Sequence, residues 1–148
     1  MNILIIEDNK SKYKNLEDTL NRVVDNPSIT WEQSRNNGLV AIKEHNFIND
    51  NDLEPFDMLI CDNYLPIYDD DWETKPFGQD IVEEVRERFG LTDLSIVMCS
   101  SEDVGEFDYN YKIRYDSSVI MDEMFKMIID DINDKKKTLV LTKNNKVK

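Results

Sequence analysis

Two stretches decide the fold: residues 3–9, ILIIEDN, and residues 56–66, FDMLICDNYLP. Each is a short apolar run that ends abruptly in acid, at Glu7-Asp8 in the first and at Asp62 in the second. Unbroken apolar runs of this length suit strands covered on both faces, the condition found in parallel sheets. Between them, Tyr13, Leu16, Leu20, Val23 and Val24 recur at helical spacing from Lys10 onward, and Asp25-Asn26-Pro27 stops that helix. Residues 29–33 read as a modest strand. Asn36-Asn37-Gly38 reads as a turn into a short helix over residues 39–45.

Beyond Asp62 the pattern repeats. Residues 66–77 form an irregular, acid-rich stretch, and Ile81, Val82, Val85 and Phe89 mark a helix stopped by Gly90. Residues 94–99 are a third apolar run, ending at Ser100-Ser101, and residues 109–115 alternate as a strand does. Ser117 is placed to cap a last helix with Ile120, Met124, Phe125, Ile128 and Ile132 on one face. Strands alternating with helices predict a parallel sheet covered on both sides. Residues 1–135 form one domain in this reading. Residues 136–148 are a Lys-rich tail, with TLVLT at 138–142 as a short extra strand.

Composition narrows the function. The chain carries 18 basic and 31 acidic residues, a net charge of −13. Residues 135–148 hold six lysines and no acid, so residues 1–134 stand at −19. Such a field repels phosphate backbones and argues against nucleic-acid binding by the folded body. The short apolar start runs directly into Glu7-Asp8, unlike a signal peptide, and no run is long enough for a membrane span. These readings predict a cytoplasmic protein with no membrane partner. Cys61 and Cys99 lie in apolar runs without a CxxC spacing and read as small buried hydrophobes.

In open parallel sheets, ligands sit at the carboxyl ends of the strands near the point where strand order reverses. Glu7-Asp8, Asp62 and Ser100 all fall at such ends. Three converging carboxylates are costly without a cation, and a hard divalent ion with oxygen ligands fits them. Lys112 is the candidate for the remaining positive charge. The local alternatives are plain: acids favour a helix start, and Asp62-Asn63 is also turn chemistry.

In order and placement, ILIIEDN and FDMLICDNYLP resemble the paired motifs of response-regulator receiver domains, where one strand ends in two acids and a later one in Asp-x-x-(Met/Leu)-Pro. Asn37-Gly38, Ser100-Ser101 and Tyr-x-x-Lys at Tyr109 and Lys112 extend the likeness from residue 2 to about residue 135. The resemblance implies an α/β flavodoxin-like fold, a five-stranded parallel sheet in the order 2-1-3-4-5, and Mg2+ as cofactor. It makes Asp62 the phosphoacceptor and Asp8 a direct metal ligand, with Glu7 acting through metal-bound water. Tyr64 would offer a backbone carbonyl to the metal, Ser100 and Lys112 would hold phosphoryl oxygens, and Tyr109 would be the switch aromatic moving with Ser100.

Three departures qualify the likeness. Ile113 stands where receivers carry a proline after the lysine. Only 12 positions separate Ser100 from Lys112, which leaves the fourth helix missing or reduced to a turn. The loop after Pro66 is lengthened, and its acids Asp69, Asp70, Asp71 and Glu73 would lie beside the pocket. The expected function is a stand-alone receiver in two-component signalling. It would be phosphorylated on Asp62 by a histidine kinase or phosphotransfer protein and read by a downstream protein partner. It would be no enzyme beyond its own phosphorylation and dephosphorylation. The alternative is a pseudo-receiver acting as a phosphorylation-independent interaction module. A phosphohydrolase of haloacid-dehalogenase type ranks behind both, because Asp62-Asn63-Tyr64 lacks that family's second acid.

Overall fold

The computed structural model describes residues 1–48 and 52–147, and for 138–147 the backbone alone. Five strands form one parallel sheet: β1 (Asn2–Ile6), β2 (Ser28–Glu32), β3 (Met58–Cys61), β4 (Ser95–Ser100) and β5 (Tyr111–Arg114), ordered β2-β1-β3-β4-β5. The helices are α1 (Lys10–Val23), α2 (Arg35–Phe47), α3 (Phe77–Glu83, continued by a π-helical turn, Glu84–Arg88) and α4 (Asp122–Val147). This is the doubly wound order the motifs imply.

Alternation along each strand divides the core between the two faces of the sheet. Leu4, Ile6, Leu59, Cys61, Ile96 and Met98 pack with Ala41 and Ile42 of α2 and Ile81 and Val82 of α3. Ile3, Ile5, Met58, Ile60, Val97 and Cys99 pack with Leu16 and Leu20 of α1 and Phe125, Ile128 and Ile132 of α4. Register then aligns the strand ends. Ile6 is opposite Cys61, and Cys61 is opposite Met98. Glu7, Asp62 and Cys99 therefore come one step later in one row along the carboxyl edge.

Several expectations need correction. Asn36-Asn37-Gly38 is not a turn but the first turn of α2, because the Ser34 hydroxyl accepts from the Asn37 N–H at 3.3 Å and starts the helix earlier. Gly38 is needed there for approach: a Cβ would stand 2.5 Å from Ile6 Cδ1. The last helix starts at Asp122, not at a Ser117 cap, and Ile120 is exposed outside it. Residues 138–142 belong to α4 rather than to a strand, and the helix crosses the expected 135/136 boundary unbroken. The reason is that no glycine or proline interrupts the sequence between Asp122 and Val147. No helix forms between β4 and β5, as the short spacing predicted.

Candidate functional site

The site is built from the row at the carboxyl edge. Asp62 N–H donates to the Ile6 carbonyl at 3.1 Å, which ties the third strand's end to the first. Glu7, at 1% exposure, turns inward, while Asp8 is exposed and Asp62 half-buried. One carboxylate oxygen from each of Glu7, Asp8 and Asp62 lies within 4.8 Å of the others. They open onto a cleft of about 460 Å3 also lined by Lys12, Asn15, Tyr64, Ser101 and Tyr115. The Trp31 indole N–H donates to the Glu7 carbonyl at 2.7 Å and fixes the acid's backbone.

The cation of the site is Lys12, which the sequence reading passed over. Asn9 caps α1 by accepting from the Lys12 N–H at 3.0 Å, so Lys12 stands in the first turn with its chain directed back over the acids. Its Nζ lies 2.9 Å from Glu7 Oε1 and 3.4 Å from Asp62 Oδ1, and donates to the Cys99 carbonyl at 2.5 Å. The Tyr115 ring covers it, with Nζ 5.2 Å from the ring centre, and Asn15 Nδ2 donates to the Tyr115 hydroxyl at 2.6 Å. A signal was present in the sequence. Lys12 shares its helix face with Leu16, Thr19 and Leu20, and a lysine on a buried stripe calls for an acidic partner.

Lys112 is not brought to the site. It pairs in register with Met98, two residues before Ser100, so it sits in mid-strand, and the residue opposite Ser100 is Arg114. Its ammonium faces Glu106 at 3.4 Å in a separate depression lined by Glu102, Asp103 and Val104. The Tyr-x-x-Lys spacing therefore leaves the lysine two residues short of the carboxyl edge. Tyr109 likewise precedes β5 rather than lying on it, and stands edge-on to Phe107 with ring centres 4.9 Å apart. Ser100 does end β4, buried, with its hydroxyl accepting from the Glu102 N–H at 3.3 Å; its neighbour Ser101 lines the cleft. Tyr64 lines the cleft with its side chain exposed. Both cysteines are buried and free, as their apolar settings indicated.

Burial dominates the electrostatics. It pushes Glu7 up to about 8, assisted by the neighbouring Asp62 charge and opposed by Lys12. Burial and Asp62 also raise Asp8. For Lys12, burial pulls downward, but the attraction of Glu7 and Asp62 prevails and the ammonium is held above its ordinary value. The Lys12 ammonium, 2.9 Å from Glu7 Oε1, is the charged partner of this buried acid.

A pH dependence follows for the metal-free protein. The unfolded Glu7 releases its proton near 4.5 and the folded one near 8. Between these values the unfolded chain binds fewer protons, so stability falls as pH rises and levels off above about 8. The slope from this group is at most about 1.4 kcal/mol per pH unit. Urea denaturation from pH 5 to 9 should show the decline, and Glu7→Gln should flatten it. An unchanged slope in the variant would assign the decline to other groups.

No protein-family model matches the sequence, and no curated protein does. Solved receivers share the fold. The Mn2+-bound response regulator Rcp1 superimposes with a TM-score of 0.66 at 13% identity, over 86% of this chain and 90% of its own. A response regulator receiver domain protein from Clostridium thermocellum gives 0.61 at 19%, over 93% and 98%. TrrA from Thermotoga maritima, solved with Mg2+ and BeF, gives 0.61 at 16%, over 88% and 97%. The chain thus has a receiver fold, and among its described residues no helix is long and apolar enough to cross a membrane.

Proposed function

We propose that this chain is a two-component signalling receiver in which Asp62 accepts a phosphoryl group from a phosphohistidine of a histidine kinase or phosphotransfer protein. One observation carries the reading: three carboxylates within 4.8 Å at the carboxyl edge of the sheet, facing an open cleft. That donor set suits a hard divalent ion, Mg2+ in service, held by Asp8 and Asp62 with Glu7 behind them. When bound, the ion neutralises charge on the phosphoryl oxygens. An Asp62 oxygen forms the new bond to phosphorus as the phosphorus–nitrogen bond breaks, and the imidazole leaves with a proton. The resulting acyl phosphate alters contacts with a downstream protein.

A second reading, the pseudo-receiver, is favoured by Lys12, which already offsets part of the acid charge. One experiment separates the two. The protein is incubated with Mg2+ and acetyl phosphate and its intact mass measured beside Asp62→Asn. A phosphate-sized gain in the parent protein, absent in the variant, is expected. Neither gain nor protection by beryllofluoride with Mg2+ would leave a constitutive interaction module.

A further inference from the structure

A phosphorylatable aspartate needs a cation besides the metal, and the residue that the family likeness nominates is in the wrong place. Lys112 faces Glu106 from mid-strand. We infer that Lys12, delivered from α1, is the resident catalytic cation of the Asp62 site, balancing the carboxylates before phosphorylation and pairing with a phosphoryl oxygen after it. This inference rests on the Asp62 reading.

Distance supports the assignment first. Lys12 Nζ is 3.4 Å from Asp62 Oδ1, the side chain whose oxygen would be phosphorylated, and 2.9 Å from Glu7 Oε1. An ammonium has three donors. One is committed to the Cys99 carbonyl at 2.5 Å, which leaves two for the acids. That anchor also fixes where the charge sits, because Cys99 belongs to β4, one residue before Ser100. Anchored at Cys99, the ammonium lies between the ends of β1, β3 and β4. It needs only a small displacement to follow charge that develops on Asp62.

Charge supports it next. With a metal bound and all three carboxylates ionised, they carry −3, and Lys12 brings the cluster to −2, which one divalent ion cancels. Without Lys12 the same ion leaves the site at −1, and an incoming phosphoryl group meets a repulsive field. The cation's origin also sets what moves with it. A lysine on β5 would couple the site to the β4–β5 face, where no fourth helix exists to respond. Lys12 instead lies under Tyr115, which Asn15 of the same helix holds by its hydroxyl. A shift of Lys12 toward a phosphoryl oxygen is thus felt at the Asn15–Tyr115 edge of the cleft.

The test compares the parent protein with Lys12→Met, Lys12→Arg and Lys112→Met in two measurements. The first is Mn2+ affinity by titration calorimetry with no phosphodonor present. Lys12→Met is expected to bind Mn2+ about tenfold more tightly, since a nearby positive charge is gone. Lys12→Arg and Lys112→Met should stay within about twofold of the parent, because neither changes the charge held against the cluster. The second is phosphate uptake from acetyl phosphate with Mg2+, where Lys12→Met should be slower by about 100-fold and Lys112→Met within about twofold. Should the methionine variant not fold, Lys12→Gln takes its place with the same expectations. The inference is overturned if Lys112→Met loses uptake while Lys12→Met keeps it, or if Mn2+ affinity ignores Lys12. A parent protein that takes up no phosphate sinks the Asp62 reading instead, and the metal measurement alone then decides whether Lys12 is the resident cation.

Discussion

Arg86→Ala is expected to lower the unfolding free energy by roughly 3 kcal/mol, because it strips a charged donor from the buried Leu94 carbonyl and from three partly buried acceptors, at a cost of about 1–3 kcal/mol where water cannot replace it. Arg86 lies in the π-helical turn that continues α3, where the wider turn faces both Val85 and Arg86 inward. Its guanidinium donates to the Leu91 and Leu94 carbonyls at 2.7 Å, the Asp108 carbonyl at 3.0 Å and Asn110 Oδ1 at 2.7 Å. Asn110 Oδ1 in turn accepts from the Ile96 N–H at 2.8 Å. One side chain therefore fastens the segment leading into β5, a segment with no helix to hold it. Arg86→Lys should recover less than half of the loss, since a point charge cannot reach four acceptors in a planar fork. Chemical denaturation measures the loss, and amide exchange should quicken first at Asn110 and its neighbours. A loss below about 1 kcal/mol would mean that water replaces the guanidinium, and the staple would be dispensable.

The same segment shows where the sequence was legible and where it was not. Runs buried on both faces, such as residues 3–6 and 94–99, can only be central strands. Their acidic or hydroxyl ends placed Glu7, Asp62 and Ser100 correctly at the carboxyl edge. The absence of a helix after β4 followed from chain length alone. Side-chain partners were harder, because they depend on register across strands and on the direction of a helix. Lys112 and Arg114 differ only in which of them stands opposite Ser100, and nothing local to β5 states that. Arg86 drew no attention in the sequence because its acceptors, at Leu91, Leu94, Asp108 and Asn110, belong to loops whose path no local pattern states. Lys12 was visible as a charge on an apolar stripe, but its partners come from β1, β3 and β4, distant in sequence. The 138–142 run was misread for a simpler reason: local strand preference yields to a helix that nothing interrupts.

Gly78→Ala is expected to damage fold and site together. A Cβ at Gly78 would lie 2.6 Å from Asn63 Cα and 3.1 Å from the Asp62 carbonyl carbon, and closer still to that carbonyl's oxygen. These are backbone atoms at the end of β3, and they cannot yield as a side-chain tip can. On one side Asp62 is held by its N–H to Ile6; on the other, Asn63 accepts from the Gly78 N–H at 2.9 Å and, through its side chain, from the Gln79 N–H at 3.2 Å. Relief therefore requires α3 to move off the sheet or Asp62 to leave its row. The expected cost is about 3 kcal/mol, the upper end for forced overpacking. Mn2+ affinity should fall as well, because the three carboxylates no longer share one centre. Gly105→Ala is the control, with open space around its Cβ and a change expected within about 0.5 kcal/mol. Gly38→Ala should fall between them, since its nearest neighbour is the rotatable end of Ile6. The informative outcome is a split between stability and metal binding. A stable Gly78→Ala protein with weakened Mn2+ binding would show the strain resolved at Asp62. An unstable one with unchanged affinity would show it resolved in α3. Parent-like values of both would contradict the close approach of α3 to Asp62 and Asn63.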